Sequence, residues 1–261
     1  MIVSDQRTTP FTNLQLLGTT LPASGIFFCA IIIFFAYFIR GIAGFGSALI
    51  AVPLLALQLD LPLIVPVICL LDYLASVTHG LQNRALIRWP DLLPLLPFSL
   101  AGLLTGFYIL RHVDATSLAT ALAVFIVIYA VYALLPLPPL RGRRLWAAPA
   151  GFFGGMIGVI FGTGGPFYVI YMGLRQLDKT EFRATIATVF MIDGGMRLIS
   201  FFAGGFYGHG AFLAVFAALP LLVAGLWTGG RIHVAISQRN FVRLVSLILL
   251  GSGAVLFFKV S

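Results

Sequence analysis

Three ionisable side chains, Asp72, Asp193 and Arg197, stand inside long apolar runs of this 261-residue chain. An ionised group in hydrocarbon costs at least about 2.5 kcal/mol, so each needs a partner or a water-filled hollow. Asp193 and Arg197 are four residues apart, one helical turn, and can pair on a single face. A guanidinium at that depth also attracts an anion, which would compete with Asp193 for it. A plain structural ion pair is the competing reading. Asp72 has no cation near it in sequence. It either finds one across the bundle or carries a proton part of the time, so Asp72 and Asp193 are the candidates for proton coupling.

Two glycine-rich breaks give the second signal. The first reads Arg40-Gly41-Ile42-Ala43-Gly44-Phe45-Gly46-Ser47, and the second Gly158-Val159-Ile160-Phe161-Gly162-Thr163-Gly164-Gly165-Pro166. Each interrupts an apolar run and precedes a new helical stretch. Pro suits the first helical turn, where its missing N–H costs nothing. Free N–H groups and the positive dipole end make such a start an anion site. The candidates for holding an anion are therefore Gly44, Gly46, Ser47, Gly162, Thr163, Gly164 and Gly165, with Arg197 and Arg40 supplying charge. Arg40 reads equally well as a topology charge. The ridge Gly151, Gly154, Gly155 and Gly158 reads as close helix packing.

The elements that must position these groups are membrane-spanning. Hydrophobic residues make up 60% of the chain and charged ones 9%, with mean hydropathy +1.06. Soluble domains carry roughly a quarter charged residues, so lipid must be the solvent over most of this surface. Ten hydrophobic segments are expected, at 23–39, 43–59, 62–81, 90–110, 115–135, 146–161, 165–174, 181–203, 210–230 and 240–258. The seventh is long enough for only about half a bilayer, and the second contains Pro53 after its glycine cluster. With the N-terminus outside, alternation through ten segments puts twelve Arg and Lys residues in the cytoplasm and three outside, Arg197 being the sixteenth. That asymmetry is what the positive-inside rule demands. Trp89, Trp146 and Trp227 fall next to cytoplasmic arginines, at interface depth.

The chain also repeats itself. Ala101-Gly102-Leu103-Leu104-Thr105-Gly106 returns as Ala224-Gly225-Leu226-Trp227-Thr228-Gly229, and Leu71-Asp72 as Ile192-Asp193. The expected organisation is an N-terminal tail (1–22), a first transmembrane repeat (23–135), a linker (136–145) and a second repeat (146–258). Five segments is an odd number, so the second repeat is inverted relative to the first, an architecture of many secondary transporters. The fold class expected is all-α and polytopic, with a glycine-broken helix in each half.

Other classes find little support. The basic residues sit singly between apolar runs and form no face for nucleic acid; contacts with anionic lipid explain them better. Cys29 and Cys69 lie far apart in apolar runs without metal spacing, and the four histidines share none either. No metal, cofactor or catalytic cluster is expected, and the scattered serines read as packing residues. A removable signal peptide is not expected.

The runs GIAGFGSALIAVP and GVIFGTGGPFYVIYM resemble the paired motifs of the TauE/SafE sulfite exporter family. The run from Asp178 to Arg197, with Lys179, Phe182-Arg183 and Arg197, is similar to the second half of one branch. The resemblance covers about 25 to 258. It implies a bacterial inner-membrane transporter of sulfite, thiosulfate or organosulfonates, by proton-coupled or facilitated routes. The motif carries over as Gly41, Gly44, Gly46 and Pro53, then Gly162, Gly164, Gly165 and Pro166. Arg40 departs from the family's usual small polar residue, and Tyr171 stands where the first half has Pro53. The partners expected are a small anion and the bilayer, with room for a homo-oligomer. The rivals are a permease for another small organic anion, such as a carboxylate, and a non-transporting membrane scaffold.

Overall fold

The computed structural model describes residues 13–16, 19–43, 46–77, 84–135, 141–231 and 238–260. A short antiparallel hairpin, β1 (Asn13–Leu16) and β2 (Thr19–Pro22), precedes a helical bundle, so part of the expected tail has structure of its own. The first half contains α1 (Ala23–Ala43), α2 (Ser47–Leu55), α3 (Leu61–Val77), α4 (Trp89–Leu92), α5 (Leu95–His112) and α6 (Ala115–Leu134). The second contains α7 (Ala147–Phe161), α8 (Gly165–Leu174), α9 (Lys179–Ala203), α10 (His209–Arg231) and α11 (Gln238–Val260). Every expected segment appears. The fourth is divided into α4 and α5 at Pro94, which has no N–H to continue the ladder. Among the described residues, six helices are long and apolar enough to cross a membrane. In hydrocarbon each backbone polar group must be satisfied within its own segment, which is why helices dominate.

Both expected breaks are present. At the first, Gly46 adopts φ 96° ahead of α2; at the second, Gly162 adopts φ 70° at the end of α7. A side chain is strained in that left-handed region, and glycine is not. The resumed helices have nine and ten residues, roughly 14 and 15 Å long. That is about half the hydrocarbon thickness.

Helix pairing crosses the sequence halves. α5 lies along α7, α10 along α1, α6 against α11 and α3 against α9. Exchanging the halves, α1–α3 for α7–α9, α5 for α10 and α6 for α11, leaves this pattern unchanged. The repeated glycine motif lets two of these pairs, α5 with α7 and α10 with α1, approach closely. A Cβ on Gly102 would lie 1.9 Å from the Phe152 carbonyl oxygen of α7, and one on Gly229 2.1 Å from that of Phe38 in α1. From the opposite side, Gly155 meets the Ser99 carbonyl at 2.1 Å and Gly151 that of Leu95 at 2.6 Å. Gly154 makes room for the Tyr168 ring. These three ridge glycines pack helices, as expected. Gly158 differs, since a Cβ there would meet only the Arg197 side chain at 3.6 Å.

Gly102→Ala must therefore push α5 off α7, and overpacking of this severity costs about 3 kcal/mol or more. The expected result is loss of monodisperse protein on detergent gel filtration. Gly251→Ala is the control: nothing lies within 4 Å of its Cβ position, and the variant should unfold no earlier than the parent.

Two apolar cores result. One gathers side chains of α1, α2, α3, α5, α6, α7, α9, α10 and α11, such as Ile32, Val65, Leu122 and Leu222. The other joins Leu92 and Leu95 to Ala147, Tyr168, Tyr171, Met172, Ile186 and Val189. Outward-facing Phe27, Ile128, Phe216 and Phe258 remain exposed, as suits a surface solvated by lipid.

Candidate anion site

A cavity of about 70 Å³ lies where the two cores meet. A single water needs roughly 10–15 Å³ on this scale, so there is room for a small oxyanion or several waters. Arg40, Gly46, Ala48, Asp72, Tyr73 and Ser76 line it from the first half. Gly162, Thr163, Gly165, Pro166, Phe190 and Arg197 line it from the second. The starts of α2 and α8 thus border one hollow. At α8, Pro166 has no N–H, and those of Gly164 and Gly165 lie ahead of the helix's own ladder.

Two arginine–aspartate pairs are built around the cavity. Arg40 Nη1 lies 2.9 Å from Asp72 Oδ1 and 2.9 Å from Ser47 Oγ. Arg40 Nη2 donates to Ser76 Oγ at 2.7 Å and to the Asp72 carbonyl at 3.2 Å. The Asp72 carboxylate also accepts from Tyr37 Oη at 2.8 Å and Ser47 Oγ at 2.6 Å. In the second half, Arg197 Nε stands 3.0 Å from Asp193 Oδ2, and Arg197 Nη1 donates to the Gly158 carbonyl at 3.0 Å. Asp193 Oδ1 accepts from Ser99 Oγ and Tyr168 Oη, each at 2.8 Å. Each aspartate is therefore held by one arginine, one tyrosine and one serine.

The pairs differ in access. The Asp72 side chain is 23% exposed and lines the cavity; that of Asp193 is 1% exposed and sits behind Arg197. Asp193 accordingly fixes the Arg197 guanidinium, while Asp72 meets whatever enters. Thr163 is buried, and its hydroxyl has no hydrogen-bond partner among the described residues. An orphaned buried hydroxyl costs about 1–3 kcal/mol, which a bound acceptor would recover.

Of the residues expected at an anion site, the structure brings Arg40, Gly46, Gly162, Thr163, Gly165 and Arg197 to one cavity. Ser47 is next to it, but its hydroxyl is committed to Arg40 and Asp72. Gly164 packs against Gly154, where a Cβ would lie 2.1 Å from the carbonyl oxygen. Gly44 lies outside the described residues. The open question of Asp72 is answered by a cation across the bundle, Arg40, which faces inward and is not a surface topology charge. Removing it leaves eleven cytoplasmic charges against three, so the asymmetry survives.

Sequence reasoning missed the hydroxyl partners. Ser76 and Ser99 bond charged groups, so the packing reading of the scattered serines fails for these two. Tyr37 and Tyr168 carry no spacing signal, because their partners lie 35 and 25 residues away. Cys69, given no role, lies in the cavity wall.

Broken helices, a lipid-facing exterior and a charged hollow within define a multi-pass membrane protein with a polar site in its interior. The chain belongs to the TauE/SafE family: the family's sequence profile, described as "Sulfite exporter TauE/SafE", matches residues 29–256. A Comamonas testosteroni protein described as "Probable inner membrane transporter protein TsaS" is 27% identical over 192 residues, covering 71% of this chain and 79% of the relative. No solved structure matches.

Proposed function

We propose that the chain is a secondary transporter that moves a small sulfur oxyanion or organosulfonate across the inner membrane, held in the cavity between the starts of α2 and α8. The observation that carries this reading is the convergence on one hollow of both broken helices, Arg197, Arg40 and Thr163, whose hydroxyl has no partner among the described residues. A head with three oxygens engages the α8 start, Thr163 and Arg197 together, whereas a planar carboxylate has one oxygen too few. The sulfite exporter description of the family and the transporter description of the relative support the same reading. The charge count supports a periplasmic N-terminus, and the half-exchanged pairing pattern suits two repeats of opposite orientation.

Charge balance adds the coupling. The cavity's two arginines face two aspartates, so the empty site has no surplus charge for an anion. Protonation of Asp72 frees Arg40 and leaves the site one positive charge, which balances a monoanion such as a sulfonate and offsets half the charge of thiosulfate. Asp193 is a positioning residue in this scheme and keeps its charge.

Proteoliposome flux of labelled thiosulfate, with methanesulfonate, sulfite and acetate as competitors, tests the substrate class. Competition by the sulfur anions and not by acetate is expected; the reverse order sinks the reading. Thr163→Val tests the site. A hydrogen bond to a charged partner contributes about 1.5–3 kcal/mol, so half-saturation should rise roughly 10- to 100-fold. Thermal stability should not fall, because no protein bond is lost.

A further inference from the structure

A second charged cluster lies away from the cavity, where α4, α7 and the α8–α9 connection meet. The Asp91 side chain is fully buried, and three guanidiniums converge on it. Arg175 Nε lies 2.9 Å and Arg144 Nε 3.2 Å from Oδ1, while Arg88 Nε lies 3.8 Å from Oδ2. Glu181 adds a second carboxylate, 3.4 Å from Arg88 Nη1. In direct ion pairs three arginines thus face two carboxylates, with Asp178 acting on Arg88 from further off. The surplus lies outward, since the Arg88 and Arg144 side chains are 46% and 55% exposed, against 21% for Arg175. Arg144's terminal nitrogens have no partner among the described residues. The buried Tyr171 hydroxyl, within electrostatic reach of Asp91, Arg175 and Arg144, has none either.

The surface beside these arginines is apolar. Trp89, Leu93, Leu145 and Trp146 are all exposed there, the indoles at the depth expected of an aromatic belt. A soluble anion would use the guanidiniums and leave this rim wet. A nucleic acid would meet a hydrophobic border. A molecule with a phosphate at one end and hydrocarbon at the other satisfies both parts, and the surplus positive charge disfavours a headgroup that carries its own cation.

The geometry points to a binding site for an anionic phospholipid, with its phosphate on Arg88 and Arg144 and its chains along Trp89, Leu93, Leu145 and Trp146. Such a lipid ties the first half's α4 to the start of α7 from outside, as Asp91 does from within. The site is independent of the transported anion.

Tryptophan quenching tests this directly. In a Trp227→Phe chain, the remaining tryptophans are Trp89 and Trp146. The protein is placed in phosphatidylcholine vesicles containing either brominated phosphatidylglycerol or brominated phosphatidylcholine. Brominated phosphatidylglycerol should reach half-quenching at the lower mole fraction. Each of Arg88→Gln and Arg144→Gln should erode that preference about fivefold, the factor for one basic side chain at an anionic surface. Equal quenching by the two lipids, or a preference unchanged in both variants, overturns the proposal. So does displacement of the brominated lipid by glycerol phosphate or inorganic phosphate, which would mark a site for soluble phosphate. If Arg88→Gln does not fold, Arg144→Gln alone decides, because Arg175 still holds Asp91 Oδ1.

Discussion

A protein carrying Asp193→Asn and Arg197→Gln together should fold normally and transport almost nothing. Removing Arg197 alone is the less clean experiment. It leaves the Asp193 carboxylate, 1% exposed, without its cation, and breaking a buried pair in that way costs about 3–5 kcal/mol. Arg197→Ala should abolish transport too, but instability could account for part of the loss. The double change removes both charges while nearly keeping their volume. The amide that replaces the Asp193 carboxylate still accepts from Ser99 and Tyr168, which hold Asp193 Oδ1 at 2.8 Å. What goes is the fixed positive charge facing the α8 start. Truncating one partner of a buried, hydrogen-bonded charge pair costs about 2–5 kcal/mol, so thiosulfate flux should drop roughly 30-fold or more. Thermal unfolding of the same preparation should match the parent within a few degrees. Normal flux in the double variant would make Arg197 a structural residue, and the anion site would have to be sought elsewhere.

What could be read from the sequence was what depends on neighbours along the chain. The helical segments were legible because apolar run length is fixed by the bilayer, and both breaks because glycine and proline act on their own backbone. Asp193 and Arg197 were legible as a pair because four residues make one turn. The same logic fails for Asp72 and Arg40, which are 32 residues apart and meet only after α1, α2 and α3 pack. It fails again for Asp91. That residue was absorbed into an apolar segment, and its partners Arg144 and Arg175 lie 53 and 84 residues on. The repeated Ala-Gly motif could be seen as a repeat, yet its purpose needs the partner helix: Gly102 and Gly229 are small because a carbonyl oxygen occupies the place of a Cβ. Thr163 was legible as a hydroxyl beside a helix start. That it is the free one, while Ser47 is spent on Arg40 and Asp72, is a fact of packing.

Asp72→Asn should separate transport from its driving force. In the parent, Asp72 Oδ1 binds Arg40, Tyr37 and Ser47 at once, and the anion must draw Arg40 out of that arrangement. In the coupling proposed above, a proton on Asp72 weakens the hold as the anion arrives, and the two cross together. Asparagine accepts from Tyr37 and Ser47 as before but carries no charge. Arg40 keeps its bonds to Ser47, Ser76 and the residue 72 carbonyl, so the guanidinium stays in place and is permanently available. Anion binding should then be as tight as in the parent or tighter, while a pH gradient no longer does work. With one proton per anion and the membrane potential clamped at zero, one pH unit corresponds to about tenfold accumulation. Thiosulfate suits the measurement because its own charge does not change near neutrality. Parent vesicles should accumulate it severalfold under an acid-outside gradient, and Asp72→Asn vesicles should stop at equal concentrations. Asp193→Asn should behave otherwise, slowing flux without abolishing accumulation, because it unpairs Arg197 but leaves the Asp72 carboxylate in place. Full accumulation by Asp72→Asn would remove Asp72 from the coupling and leave the Arg40 pair a permanent strut between α1 and α3.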